Sequence, residues 1–352
     1  MTTIPSSWTS ADHSLGADFE PIPLLNRWWR AITPRLPFTA TSLEAFHSWQ
    51  TTVRQAVIDQ LGFTPPPLPL LPRMLAEGTL VDGITYRYGT VDTAEGMSVP
   101  FMVLLPAALT EPAPGVLCVH GHGDGMNPLI GLDAHGQPIE DEYQHCFALE
   151  ACRRGFVVLA FDMLCFGRRR DFEYLTQTGT PACDSPSKVA LQIGATMLGL
   201  RVFDARRMLE LLGAQPEVDA QRLGMAGISG GGTITFTTTV LDDRVRAAMI
   251  SGYFNQYSAF MQVPHCVDNF VPGLATVAEM PDLGCAIAPR PLLISQGMED
   301  PIFPLAATRE GVLKLREAYR LHGVEDRIEE EYYPGGHTFS NARAWDFFME
   351  RL

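Results

Sequence analysis

The sequence predicts an α/β protein: a mostly parallel central sheet with helices on both faces, preceded by a helical extension. Two observations carry this. Short apolar runs of strand length, at 115–120, 156–162, 222–226, 245–251, 291–296 and 328–333, are separated by helix-length segments. Strands that alternate with helices must cross over and therefore lie parallel. Between two of these runs, residues 188–212 place Leu198, Val202, Ala205, Leu209 and Leu212 on one side of a helix. Ligands of such sheets bind beyond the carboxyl ends of the strands, so those ends are where reactive side chains are sought.

The chain has 352 residues, of which 46% are hydrophobic and 19% charged. That composition fits a globular protein with a sizeable core and excludes a disordered one. Lys and Arg number 26 against 40 Asp and Glu, a net charge of −14. Such a field repels phosphate backbones and argues against nucleic acid as a partner. Residues 1–19 show no basic flank followed by an apolar run, and no apolar stretch is long enough to span a membrane. The seven cysteines are odd in number and lack CxxC pairs. The expectation is a cytoplasmic protein with reduced thiols. No sequence feature decides its oligomeric state.

Along the chain, Leu43, Phe46, Trp49, Val53, Val57 and Leu61 recur at spacings of three and four. This predicts an amphipathic helix over 42–61. Pro65, Pro66, Pro67, Pro69 and Pro72 follow as a stiff linker. Residues 1–73 thus read as an N-terminal helical extension with its linker, and 74–352 as the catalytic domain. Two β segments, 80–89 and 99–105, open that domain around a turn at Glu95-Gly96.

The predicted strand at 222–226 runs into Gly227-Ile228-Ser229-Gly230-Gly231-Gly232. This is G-x-S-x-G between a strand and a helix. Glycines beside a nucleophile leave room for a tight, strained turn that lifts the serine oxygen above the sheet. Serine needs a base. Of nine histidines, His337 follows the last predicted strand in Tyr333-Pro334-Gly335-Gly336-His337. From that loop an imidazole can take the serine proton and return it to the leaving group. The base needs an orienting acid. The predicted strand at 291–296 ends in Gly297-Met298-Glu299-Asp300-Pro301. The tight Gly and Pro frame favours Asp300, whose stem is shorter than that of Glu299. An early strand ends in His120-Gly121-His122-Gly123-Asp124-Gly125. Its turn can aim the backbone N–H of His122, together with that of Gly230, at a developing oxyanion. His120, His122 and Asp124 alternate as metal ligands would. No further His or Cys at ligand spacing completes a shell, so no metal is expected.

These four parts, in the order Ser, Asp, His, resemble the α/β-hydrolase superfamily over roughly residues 75–352. With the lead-in Ala288-Pro289-Arg290-Pro291-Leu292-Leu293-Ile294, the chain is similar to the dienelactone-hydrolase and acetyl-xylan-esterase-like branch. The resemblance implies cleavage of a small-molecule ester through an acyl-enzyme, without a cofactor. Dienelactone hydrolases use Cys where this chain has Ser229, so the resemblance stops short of that reaction. The same three residues also serve amide cleavage and acyl transfer. A non-catalytic binding role would tolerate loss of the triad, and here its residues stand intact.

Residues 251–287 form a long excursion before the acid-bearing strand, a candidate lid or pocket wall. Tyr253 and His265 within it, and Phe166 in the loop after the 156–162 strand, are candidate substrate contacts. The run Arg168-Arg169-Arg170 reads as ion-paired surface.

Overall fold

The computed structural model describes residues 20–139, 142–171, 182–261 and 265–352. The strands are β1 (Arg73–Thr79), β2 (Thr85–Ala94), β3 (Met97–Leu105), β4 (Ala113–Val119), β5 (Val157–Phe161), β6 (Val218–Ile228), β7 (Ala247–Ser251), β8 (Leu292–Gly297) and β9 (Ile328–Tyr333). They form one nine-stranded sheet in the order β1-β2-β3-β5-β4-β6-β7-β8-β9. The pairs from β1 through β3 to β5 are antiparallel, and every pair from β5 across to β9 is parallel. The core strands are apolar throughout because both faces are covered. In β4, Val116 and Cys118 enter one buried cluster while Leu117 and Val119 enter the other. Strand β1 lies outside the sequence expectation. Its residues are mostly exposed, so no alternation marks it, and only β2 pairs with it.

The helices are α1 (Pro21–Ala31), α2 (Leu43–Leu61), α3 (Phe147–Arg153), α4 (Asp184–Gln192), α5 (Met197–Gly213), α6 (Gly230–Leu241), α7 (Tyr257–Phe260), α8 (Leu274–Val277), α9 (Met280–Cys285), α10 (Leu305–Leu321) and α11 (Ala344–Arg351). The single helix expected over 188–212 is two, α4 and α5. Gly194 turns the chain at φ +77°, and Thr196 starts α5 by accepting the Gly199 N–H at 3.0 Å. The Thr196 hydroxyl also donates to the Leu61 carbonyl at 2.7 Å, which ties the break to the end of α2.

Helix α2 begins at a Ser42 cap and buries Phe46, Val53, Val57 and Leu61 in the same cluster as α5 and α6. Each such side chain contributes roughly 1.5–3 kcal/mol on burial. Polar ties add to the docking. The Phe38 N–H donates to Asp282 at 2.9 Å, and Gln50 donates to the Ala286 carbonyl at 2.8 Å. Much of the excursion after β7 packs against the core, although Phe270, Pro272 and Gly273 are exposed. Tyr253, Phe254, Phe260, Val277 and Met280 are buried in the main core. On the opposite face, α3 and α11 bring Phe147, Trp345 and Phe348 into the second cluster. No helix among the described residues is long and apolar enough to cross a membrane. The loops after β4, β6, β8 and β9 all leave the same end of the sheet, and the site is built there.

Candidate active site

Ser229 occupies the single residue between β6 and α6, with φ +56° and ψ −122°. A non-glycine residue held at positive φ costs on the order of 1–3 kcal/mol. Packing holds it there. The Ser229 N–H donates to the Ser251 carbonyl at 3.0 Å, and its own carbonyl accepts from Thr233 N at 2.9 Å. The flanking glycines permit the approach. A Cβ on Gly227 would fall 2.4 Å from the Gly231 carbonyl, and one on Gly231 would fall 2.0 Å from that of Val119.

His337 Nδ1 lies 2.7 Å from Asp300 Oδ2. The other oxygen, Asp300 Oδ1, accepts the N–H groups of Ile302 and Phe303 at 2.8 and 3.1 Å. The carboxylate is thus clamped in place, with its side chain 1% exposed. Glu299 is exposed and meets the His337 loop through its backbone, donating to the Gly335 carbonyl at 2.8 Å. His337 Nε2 is buried without a hydrogen-bond partner among the described residues. It shares with Ser229 a cavity of about 360 Å³, lined also by His122, Tyr143, Gly230, Thr233, Tyr253 and Phe303.

His122 packs over the start of α6. A Cβ on Gly230 would sit 2.9 Å from its Nδ1 and 4.0 Å from its backbone nitrogen. The turn that carries it is tied down on both sides. Gly121 N–H donates to Gln144 at 2.7 Å, and the Tyr143 hydroxyl donates to the His122 carbonyl at 2.8 Å. Tyr143 also stacks on His337, with ring centroids 5.9 Å apart. Burial pushes its phenol well above the usual range, so it stays a hydrogen-bond donor. Sequence reasoning missed Tyr143, which lies in a loop without a motif. His120 faces away from the cavity and is fully buried. Its Nε2 accepts the Met163 N–H at 3.0 Å, and burial pulls its imidazole down to about 4.

Of the candidate substrate contacts, Tyr253 and His265 line the cavity. Burial lowers the His265 imidazole, with a smaller contribution from His122. Phe166 does not reach the cavity. Its ring is packed behind His122 at 4.9 Å and under the Arg201 guanidinium at 4.6 Å. The arginine run is paired, with Arg168 on Asp162, Arg169 on Asp204 and Arg170 on Asp124. Arg169 and Asp204 are buried, so that part of the run lies inside the protein and not at its surface.

One cysteine expectation needs correction. Cys183 and Cys266, 83 residues apart, are joined as a disulfide, so the seven are not all free thiols. His122, Cys183, Cys266 and Asp268 bring their ligand atoms within 4.8 Å of one another, a set that no local spacing announces. His120 and Asp124 stand outside it, engaged with Met163 and Arg170.

Comparisons with known proteins agree with this architecture. The chain is 27% identical over 247 residues to the "Putative hydrolase YtaP" of Bacillus subtilis (strain 168), covering 68% of this chain and 77% of the relative. Its fold is similar to a crystal structure described as a "putative acetyl xylan esterase" from Bacteroides fragilis NCTC 9343. The TM-score is 0.77 at 21% identity, over 92% of this chain and 84% of that one. A glucuronoyl esterase from Solibacter usitatus superposes with a TM-score of 0.67 at 14% identity, over 91% of this chain and 97% of that one. The model of the Abhydrolase family matches residues 24–344, so a parallel sheet carrying Ser229 on a strained strand-to-helix turn is here the sheet of a member of the Abhydrolase family.

Proposed function

We propose that the protein is a serine esterase that hydrolyses a small or medium carboxylic ester through an acyl-enzyme. One observation carries this reading: Ser229, at positive φ, opens onto the same cavity as His337, whose Nδ1 is tied to Asp300 at 2.7 Å. Ser229 attacks the ester carbonyl while His337 Nε2 takes its proton. Asp300 holds the Nδ1–H tautomer and stabilises the imidazolium that forms. The backbone N–H groups of His122 and Gly230 receive the oxyanion. His337 then returns the proton to the departing alcohol, and water repeats the sequence on the acyl-enzyme. The esterase names of the fold neighbours agree with this chemistry. At about 360 Å³ the cavity lies near the small end of ligand pockets, which run from about 300 to 1,000 Å³. Its Tyr143, Tyr253 and Phe303 walls suit a compact apolar group.

The test is hydrolysis of p-nitrophenyl esters from acetate to long acyl chains. Ser229→Ala lowers turnover by about 10⁴-fold or more while leaving the circular dichroism unchanged. Short acyl chains are preferred. A variant that retains wild-type turnover would refute Ser229 as the nucleophile. Wild-type inactivity on every ester would turn the search to amides or acyl acceptors.

A further inference from the structure

Three distant segments converge beside the candidate active site. The turn after β4 brings His122, the start of α4 brings Cys183, and the wall after β7 brings Cys266 and Asp268. We propose that, in the reduced chain, Cys183, Cys266, His122 and Asp268 hold one zinc ion in a closed four-ligand site. Two sulfurs, an imidazole and a carboxylate are the donor set that tetrahedral zinc selects.

The spacing supports an ion between these groups. Zinc lies about 2.0–2.3 Å from each ligand, which sets the edges of its tetrahedron at roughly 3.3–3.8 Å. His122 Nε2 and Asp268 Oδ2 are 3.3 Å apart, a separation that matches such an edge. It is long for a hydrogen bond, and His122 Nε2 is buried with no hydrogen-bond partner among the described residues. All four ligand atoms lie within 4.8 Å of one another, so closing the shell needs shifts on the order of 1 Å.

Charge also balances. Two thiolates and the Asp268 carboxylate offset a dication plus Arg201, whose Nη1 lies 2.6 Å from Asp268 Oδ2. Arg201 is in turn fixed by two donations to the Leu164 carbonyl, at 2.9 and 2.8 Å. It therefore orients Asp268 as an outer-shell partner does. Binding would release the two thiol protons and clamp the wall after β7 to the His122 turn.

The test is elemental analysis of the full chain purified in reductant without chelator, followed by exchange with cobalt(II). The expected result is one zinc per chain and, after exchange, the visible bands of tetrahedral cobalt with a thiolate charge-transfer band. These measurements need no variant. Cys183→Ser and Cys266→Ser should each lower zinc retention by more than tenfold, whereas Cys118→Ser, a buried thiol outside the cluster, should retain it. A reduced wild-type chain that holds no zinc and develops no cobalt–thiolate band overturns the proposal. So does an intact mass two hydrogens low that persists in reductant, which would show the sulfurs locked as a disulfide.

Discussion

The Tyr143 hydroxyl donates to the His122 carbonyl at 2.8 Å, while its neighbour Gln144 accepts the Gly121 N–H at 2.7 Å. One loop therefore fixes the chain on both sides of the His122 N–H, the group assigned to the oxyanion. Such donors work by being preorganised. Tyr143 is a positioning residue in this account. Tyr143→Phe should lower kcat about tenfold with KM nearly unchanged, at a cost of about 1 kcal/mol in stability. Steady-state kinetics beside a denaturant titration checks the split. Loss of stability with full kcat would leave Tyr143 a purely structural role.

Asp300→Asn should keep the fold, because Oδ1 can still accept from Ile302 and Phe303. It presents the wrong partner to His337 and should reduce kcat by roughly 10³–10⁴-fold. Glu299→Gln, at an exposed position, should stay within about twofold of wild type. Equal effects of the two substitutions would undo the choice between these acids.

Gly252 follows β7 at φ +52°, and a Cβ there would lie 3.0 Å from His337 Cε1 and 3.6 Å from Asp300 Oδ2. Gly252→Ala therefore strains the backbone and pushes the imidazole. A drop in kcat of about 10- to 100-fold is expected, with roughly 1–3 kcal/mol of stability lost. A crystal structure of the variant should show the His337 ring displaced.

His120 gives the stability a pH dependence of known sign. Its folded imidazole is pulled down to about 4 by burial, whereas in the unfolded chain it titrates near 6.5. Between those values the unfolded chain binds a proton that the folded one does not. The contribution is fully present above pH ~6.5 and falls as the pH drops, the loss reaching roughly 3 kcal/mol by pH ~4. Urea titrations near about pH 7 and about pH 4.5 should show a smaller fall for His120→Gln than for wild type.

What was legible in the sequence was local. The central parallel strands are largely apolar runs, and the Ser229, Asp300 and His337 turns are short motifs at strand ends. Contiguous residues suffice to mark both. The exposed edge strand β1 escaped because no face of it alternates. The break between α4 and α5 escaped because a backbone carbonyl at the end of α2, that of Leu61, helps to stabilise it by accepting from the Thr196 hydroxyl. Only the tertiary structure decided that Tyr143 braces His122, that Phe166 lies behind it, and that Cys183, Cys266 and Asp268 gather around it. Periodicity and motif spacing report the geometry of neighbours along the chain. These contacts join segments whose sequence separation carries no periodic signal, so their meeting is set by tertiary packing and the polar and covalent ties made across it.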